Sequence, residues 1–122
     1  LSPIRITSVL SDTCTGESRA AGIVATSDGR HVFVSNRGHD SVARTDGTRA
    51  IEWTSTDGHT PRFIALSPDE RALVAANEGS DTIVRFAMSD DGRLSDPVVV
   101  ARTGSPVCVV WGESRAPRLT AP

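Results

Sequence analysis

An all-β fold assembled from repeated four-stranded units is what this sequence predicts, on three observations. A 22-residue stretch recurs at a constant offset of 41. Within each copy, short runs rich in Val, Ile, Ala and Phe alternate with segments bearing Gly, Asp and Asn, the residues of strand-to-strand turns. Nothing in the chain shows a sustained helical apolar period.

Residues 23–44 read IVATSDGRHVFVSNRGHDSVAR and residues 64–85 read IALSPDERALVAANEGSDTIVR. The offset pairs Ile23 with Ile64, Asp28 with Asp69, Arg30 with Arg71 and Asn36 with Asn77, and likewise Gly38 with Gly79, Asp40 with Asp81 and Arg44 with Arg85. A period of this size falls among the blades of β-propellers, at about 40–45 residues per four-stranded blade. The elements follow in order. Residues 22–26 read as a first strand, 27–30 as a hairpin turn, 31–35 as a second strand with Val32, Phe33 and Val34 as strand formers, and 36–40 as a polar loop. A third strand starts at 41–44 and a fourth lies at 51–55. The second unit repeats the series at 63–66, 72–76, 82–87 and 98–102. The offset then changes to 45, pairing Asp46-Gly47 with Asp91-Gly92 and Pro61 with Pro106. The first unit thus lacks four residues, and its third strand is expected to be short or irregular. Residues 106–111 match the opening strand of a third unit and read as a lone closing strand. Ile4, Ile6 and Val9 alternate, as an outer strand of a preceding blade would. The predicted organisation is one partial β-propeller over 1–111, with blades at about 20–55 and 61–102 plus single flanking strands, and a disordered tail over 112–122.

Composition narrows the function classes. With 38% hydrophobic and 23% charged residues the chain is globular. The net charge is −2 and all 13 basic residues are scattered arginines, so a nucleic-acid partner is not expected. No membrane span or signal peptide is read, and a cytoplasmic protein is expected. Cys14 and Cys108 have neither metal-ligand spacing nor a disulfide framework, and Cys108, inside an apolar run, is expected to be a buried core thiol. Trp53 and Trp111 are expected to pack in or between blades. No metal or other cofactor is implied: there is no Gly-rich phosphate loop, serine elbow or paired-histidine motif.

The segments ESRAAGIVATSDGRHVFVSNRGHDSVA, TPRFIALSPDERALVAANEGSDTIVRFAMSDDGRLSD and TGSPVCVVW resemble the lactonase family of seven-bladed propellers, which includes bacterial 6-phosphogluconolactonases and fungal carboxymuconate cyclases. The Asn-Arg-Gly-His-Asp loop at 36–40 and the Thr-Pro-Arg strand entry at 60–62 come in the family's order. The resemblance covers residues 16–111 and the last third of such a protein. It implies hydrolysis of a small-molecule sugar lactone such as 6-phosphogluconolactone. It also implies that the earlier blades, with further catalytic groups, are absent from this chain. The chain opens on Leu1 rather than Met, and we expect it to be inactive alone, self-associating or joined to missing N-terminal blades.

Strand direction sorts the candidate residues. In an up-and-down blade, the loop between strands two and three shares a rim with the connection into the next blade, so Arg37, His39, His59, Arg62 and Glu78 should lie together, opposite the first hairpins. Lactone opening needs a base for water and a positive group for the oxyanion, and a phosphorylated substrate favours arginine. Arg37 and His39 are the catalytic candidates, and Arg62, His59 and Glu78 the substrate-binding ones. Arg37 faces Glu78 in the repeat alignment, so the scaffold does not demand Arg there; by resemblance it matches a family arginine at the site. Its alternative reading is a loop arginine paired with a carboxylate. The alternatives for the others are a turn or surface role for each histidine, a solvated carboxylate for Glu78 and an arginine clear of ligand for Arg62. Asp40, Asp81, Asn36 and Asn77 recur and read as structural. Two other functions fit the repeats: a non-enzymatic propeller of the surface-layer type, and a cyclase-type isomerase on the same fold.

Overall fold

Alternating turn and strand chemistry folds this chain into two antiparallel four-stranded sheets, each in simple chain order. The computed structural model describes residues 2–113, so nearly all of the expected tail over 112–122 lies outside the described residues. The first sheet holds β1 (Arg19–Ala25), β2 (Val32–Arg37), β3 (Ser41–Thr45) and β4 (Ala50–Ser55). The second holds β5 (Pro61–Leu66), β6 (Ala72–Asn77), β7 (Thr82–Met88) and β8 (Leu94–Arg102). The one helical element among the described residues is a single 3-10 turn, Glu78–Ser80. As expected, β3 is shortened: it has 5 residues against 7 in β7, and its ladder to β4 slips between Arg44 and Thr45. β1 and β8 begin earlier than their apolar runs, because backbone pairing carries them through Arg19-Ala20-Ala21 and Leu94-Ser95-Asp96-Pro97.

The flanking strands are not formed. Neither 2–18 nor 106–111 joins a sheet. The ladder partner of a third blade's first strand would be that blade's second strand, and no third sheet exists among the described residues. The same geometry corrects two further expectations. Cys108 is exposed rather than a core thiol, and Trp111 is 43% exposed. Trp53 is half-buried, and its Nε1–H donates to the Val9 carbonyl at 2.8 Å, tying the N-terminal segment to β4.

The two sheets stack face to face. Phe33 and Val42 of the first sheet join Ile64, Leu73, Ala75, Val84 and Phe86 of the second in one buried cluster. Every residue of β6 is buried, which explains its unbroken ALVAA run in place of the alternation of a half-exposed strand. β1 and β5 approach closely at Gly22, where a Cβ would lie 3.1 Å from both the Ile64 backbone nitrogen and its Cγ1. Gly22 sits in a bulge. β1 and β5 each carry an extra residue near their starts, between Ala20 and Ile23 and between Pro61 and Phe63. The Gly22 N–H donates to Ser35 Oγ at 2.9 Å, a side chain standing in for a ladder partner.

One turn design recurs three times, at Thr26-Ser27-Asp28-Gly29-Arg30, Ser67-Pro68-Asp69-Glu70-Arg71 and Ser89-Asp90-Asp91-Gly92-Arg93. The hydroxyls of Thr26, Ser67 and Ser89 donate to Asp28, Asp69 and Asp91, whose Oδ1 also accepts the amides of Arg30, Arg71 and Arg93. Gly29, Glu70 and Gly92 all take positive φ. For Glu70 this costs about 1–2 kcal/mol. Its carboxylate offsets part of that by accepting the N–H and Oγ–H of Ser27 from the neighbouring sheet.

The opposite edge carries a second recurring device. Asp40 and Asp81 are both left-handed, with φ of 55° and 57°. The Asp40 carbonyl accepts the Thr56 amide at 3.0 Å and its carboxylate accepts the amides of Thr60 and Gly38 at 2.9 and 3.1 Å. Asp81 likewise holds the Thr103 amide with its carbonyl and the Ser105 amide with its carboxylate. Asn36 and Asn77, both fully buried, donate to the carbonyls of Val9 and Thr56 at 2.9 Å each. Asp40 and Asn77 thus fasten the connection between the two sheets to both of them, while Asn36 holds the segment before β1 and Asp81 the segment after β8.

Five turn and loop carboxylates, those of Asp28, Asp40, Asp46, Asp69 and Asp91, ionise more readily than usual. Asp28, Asp69 and Asp91 are held below the ordinary value chiefly by the Thr26, Ser67 and Ser89 hydroxyls. Asp46 is pushed down to about 2, first by the Thr48 hydroxyl and then by the Thr48 and Arg49 amides. Burial opposes ionisation of Asp40, but the Thr60 amide, His59 and the Gly38 amide outweigh it and lower its value.

Two expected outcomes follow from this architecture. Gly22→Ala forces a methyl against the Ile64 backbone and should destabilise the chain by about 1–3 kcal/mol, with a matching fall in the midpoint of urea unfolding; an unchanged midpoint would show that β1 and β5 can spread at no cost. The second concerns acid. Folded values lie below unfolded ones, so the stability contributed by these carboxylates is present above the unfolded value of about 4 and is lost as pH falls through the folded values. Unfolding midpoints should therefore hold above about pH 5 and fall below about pH 4, and the deficit of Asp40→Asn should shrink over the same range. A deficit independent of pH would assign Asp40 a role in which its charge plays no part.

Candidate functional site

The ends of β2 and β4 and the starts of β3 and β5 lie on one edge because neighbouring strands run antiparallel. Arg37, His39, His59, Arg62 and Glu78 all sit on this rim. The turns of Asp28 and Asp69 lie at the other edge. The rim is cross-tied: Glu78 N–H donates to the Thr60 carbonyl at 2.9 Å, Gly79 N–H to the His59 carbonyl at 3.0 Å, and His59 N–H to Ser80 Oγ at 3.0 Å.

The five candidates fall into separate environments. Arg62 Nη1 contacts Glu78 Oε2 at 3.4 Å, so each is the other's partner. With the Arg62 side chain 54% exposed this pair contributes little to stability, about 0–1 kcal/mol. His59 Nδ1 lies 3.1 Å from Asp40 Oδ2, its ring largely in solvent. His39 is exposed; its Nδ1 is 2.7 Å from Ser41 Oγ and its N–H donates to Ser18 Oγ at 3.3 Å. Arg37, the last residue of β2, is half-buried. Its Nη2 makes a long 3.5 Å hydrogen bond to the Ala20 carbonyl, and its Nε is buried without a hydrogen-bond partner among the described residues.

Arg37 lines an open cleft of about 230 Å³ together with Glu17, Ser18, Arg19, Gly38 and Thr60. The cleft lies where the start of β1 and the loop after β2 meet the connection into β5. Gly38 makes this close fit possible: its φ is +104°, and a Cβ there would lie 2.2 Å from the Glu17 carbonyl oxygen. Of the five residues singled out from the sequence, Arg37 alone lines the cleft. Sequence reasoning missed Arg19, which pairs directly with Arg37 across β1 and β2. One signal was available: Arg19 precedes the aligned repeat and occupies the place of Thr60 in the next unit.

Such a guanidinium suits an oxyanion, since its Nε–H has lost water without gaining a partner among the described residues. At the other edge Asp28, Asp69 and Glu70 line a second cleft with His31, but their carboxylates are engaged in the turns. Among the described residues no group of three or more His, Cys, Asp or Glu is arranged to hold a metal ion.

Comparison with known proteins agrees with this architecture. The profile of the family described as lactonase, 7-bladed beta-propeller matches residues 1–111. A 6-phosphogluconolactonase of Bacillus subtilis is 38% identical over 113 residues, covering 87% of this chain and 32% of the relative. The periplasmic gluconolactonase of Pseudomonas aeruginosa superposes with a TM-score of 0.73 at 28% identity, covering 80% of this chain and 29% of that one. A protein of Lactobacillus plantarum gives 0.75 at 29% identity, with coverage of 82% and 31%. The chain thus spans about a third of the length of these proteins. With a family profile over residues 1–111 and two stacked propeller blades, this chain belongs to the lactonase family of seven-bladed β-propellers.

Proposed function

We propose that this chain contributes the Arg37 rim of a hydrolase acting on a sugar lactone, 6-phosphogluconolactone being the substrate that its similarity to the Bacillus subtilis enzyme suggests. The observation that carries this reading is the state of Arg37: a half-buried guanidinium in a cleft, with its Nε unpartnered among the described residues. In lactone hydrolysis, water adds to the ring carbonyl, a tetrahedral oxyanion forms, the ring C–O bond breaks, and the departing alkoxide takes up a proton. Arg37 supplies positive charge to the oxyanion or to an anionic substituent of the sugar. His39 is the nearest candidate base in sequence. In the tautomer whose Nδ1–H donates to Ser41 Oγ, its Nε2 is left to accept a proton from water. Arg62 and Glu78, paired with each other, and His59, paired with Asp40, shape the rim beside it.

Two blades do not close a propeller of the family's seven. Catalysis on this reading needs groups from further blades, and the unpaired Val107, Val110 and Trp111 are apolar surface that such blades would cover. We therefore propose that the chain acts with further blades and is inactive alone.

A graft tests both halves of the proposal. Residues 1–111 replace the matching stretch of the Bacillus subtilis relative, and hydrolysis of 6-phosphogluconolactone is followed by proton release. The chain alone should not exceed the spontaneous rate. The graft should hydrolyse the lactone, and Arg37→Ala within it should lower kcat/KM about tenfold or more while leaving its melting temperature nearly unchanged. A folded graft without turnover, or one indifferent to Arg37→Ala, would refute the assignment.

A further inference from the structure

We propose that Arg19 and Arg37 together form a phosphate-binding subsite, with Arg19 the residue that gives preference for a phosphorylated ligand; this rests on the lactone-site reading of the Arg37 rim. Four observations support it. Arg19 and Arg37 are direct partners in the β1–β2 ladder, so their side chains leave the same face of the sheet. Both line the same cleft, with Ser18, Gly38 and Thr60 around them. Neither has a carboxylate within ion-pair distance among the described residues. The Arg37 Nε is buried and has no hydrogen-bond partner among the described residues.

Like charges placed directly opposite across a strand pair are destabilising, and a carboxylate usually relieves them. Here the ladder sets two arginines opposite each other, and neither makes an ion pair among the described residues. A phosphate monoester, carrying about −1.5 to −2 charges at neutral pH, matches both. Its tetrahedral oxygens accept from two planar forks at once, whereas a single carboxylate neutralises only one of them. Glu17 also lines the cleft. It is exposed, and its carboxylate opposes an anion in the cleft, so the two arginines must outweigh it for phosphate to bind. The repeat supplies an internal contrast. In the second blade the places of Arg19 and Arg37 are taken by Thr60 and Glu78, so the scaffold requires neither arginine.

The probe is inorganic phosphate, titrated into the 122-residue chain while the arginine Nε–H signals are followed by nitrogen–proton correlation NMR. The buried Arg37 Nε–H should shift and saturate in the millimolar range. Arg19→Gln should weaken that binding about tenfold or more, as expected for loss of one charge-assisted partner. Arg30→Gln, on the opposite edge, removes the same net charge and should leave the affinity unchanged. Equal weakening by Arg19→Gln and Arg30→Gln would reduce the effect to general electrostatics and overturn the proposal, as would an Arg37 signal that does not move. Should Arg19→Gln fail to fold, Arg19→Lys is the second variant: it keeps the charge but not the fork, and should still bind phosphate more weakly than the unaltered chain. The lactone reading is tested separately with an unphosphorylated gluconolactone. Turnover of that lactone by the graft, without phosphate binding at Arg37, would remove the subsite and leave the hydrolase. Phosphate binding without turnover of either lactone would do the reverse.

Discussion

Everything on the Arg37 rim depends on how closely β1 lies against β5. The two strands meet at Gly22 and Ile64 with no room for a side chain on the first, and the buried cluster of Phe33, Val42, Ile64, Leu73, Ala75, Val84 and Phe86 closes over the same seam. A four-stranded sheet with apolar residues on both faces cannot stand alone in water, so its neighbour is part of its fold. Burying a side chain the size of Phe33 or Ile64 contributes about 1.5–3 kcal/mol, and the cluster takes residues from both sheets. The seam therefore fixes the angle between blades, and with it the distance from Arg37 to Thr60 across the cleft.

Above the seam, backbone chemistry takes over from packing. A connection between blades exposes amides that no ladder satisfies, and such groups are costly when buried. The chain meets this cost with Asp40 and Asp81, each accepting with both its carbonyl and its carboxylate from a left-handed position that few residue types tolerate. Asn36 and Asn77 finish the task from below, donating to the carbonyls of Val9 and Thr56. Because Asp40 also holds the amide of Thr60, the loop after β2 and the entry to β5 move as one body. A change at this corner would therefore shift Arg37 and Thr60, two walls of the cleft, relative to each other.

The repeat made the strands and their order legible, because turn residues and apolar runs recur at fixed spacing. It also disclosed the shortened β3, since a change of offset marks a deletion whatever the fold. It could not disclose which residues meet across the ladder near a bulge. The extra residue between Ala20 and Ile23 alters the pairing there, and that shift is what sets Arg19 opposite Arg37. Nor does an apolar run reveal whether its neighbour is present. Cys108 and Trp111 read as interior residues because their segment resembles an inner strand, yet they are exposed where no third sheet covers them. The five rim residues were placed on the correct edge by strand direction alone. Their partners were not: that Arg62 would meet Glu78, and His59 meet Asp40, depends on loop conformations set by the left-handed residues Asp40, Asp57 and Thr60.

The two edges of the blades differ in a way that bears on function. At the hairpin edge, one turn design appears three times and its carboxylates are spent on their own hydroxyls and amides. At the rim, the recurring Asp and Asn residues do the structural work, and this frees the positions between them to differ from blade to blade. Arg37 and Glu78 occupy the same place in the repeat, as do Arg19 and Thr60. Within this chain, then, the Asp and Asn residues common to both blades maintain the scaffold, and the arginines that line the cleft are places where the blades differ. A propeller built this way can vary its ligand chemistry at one edge without disturbing the hydrogen bonds that join its blades.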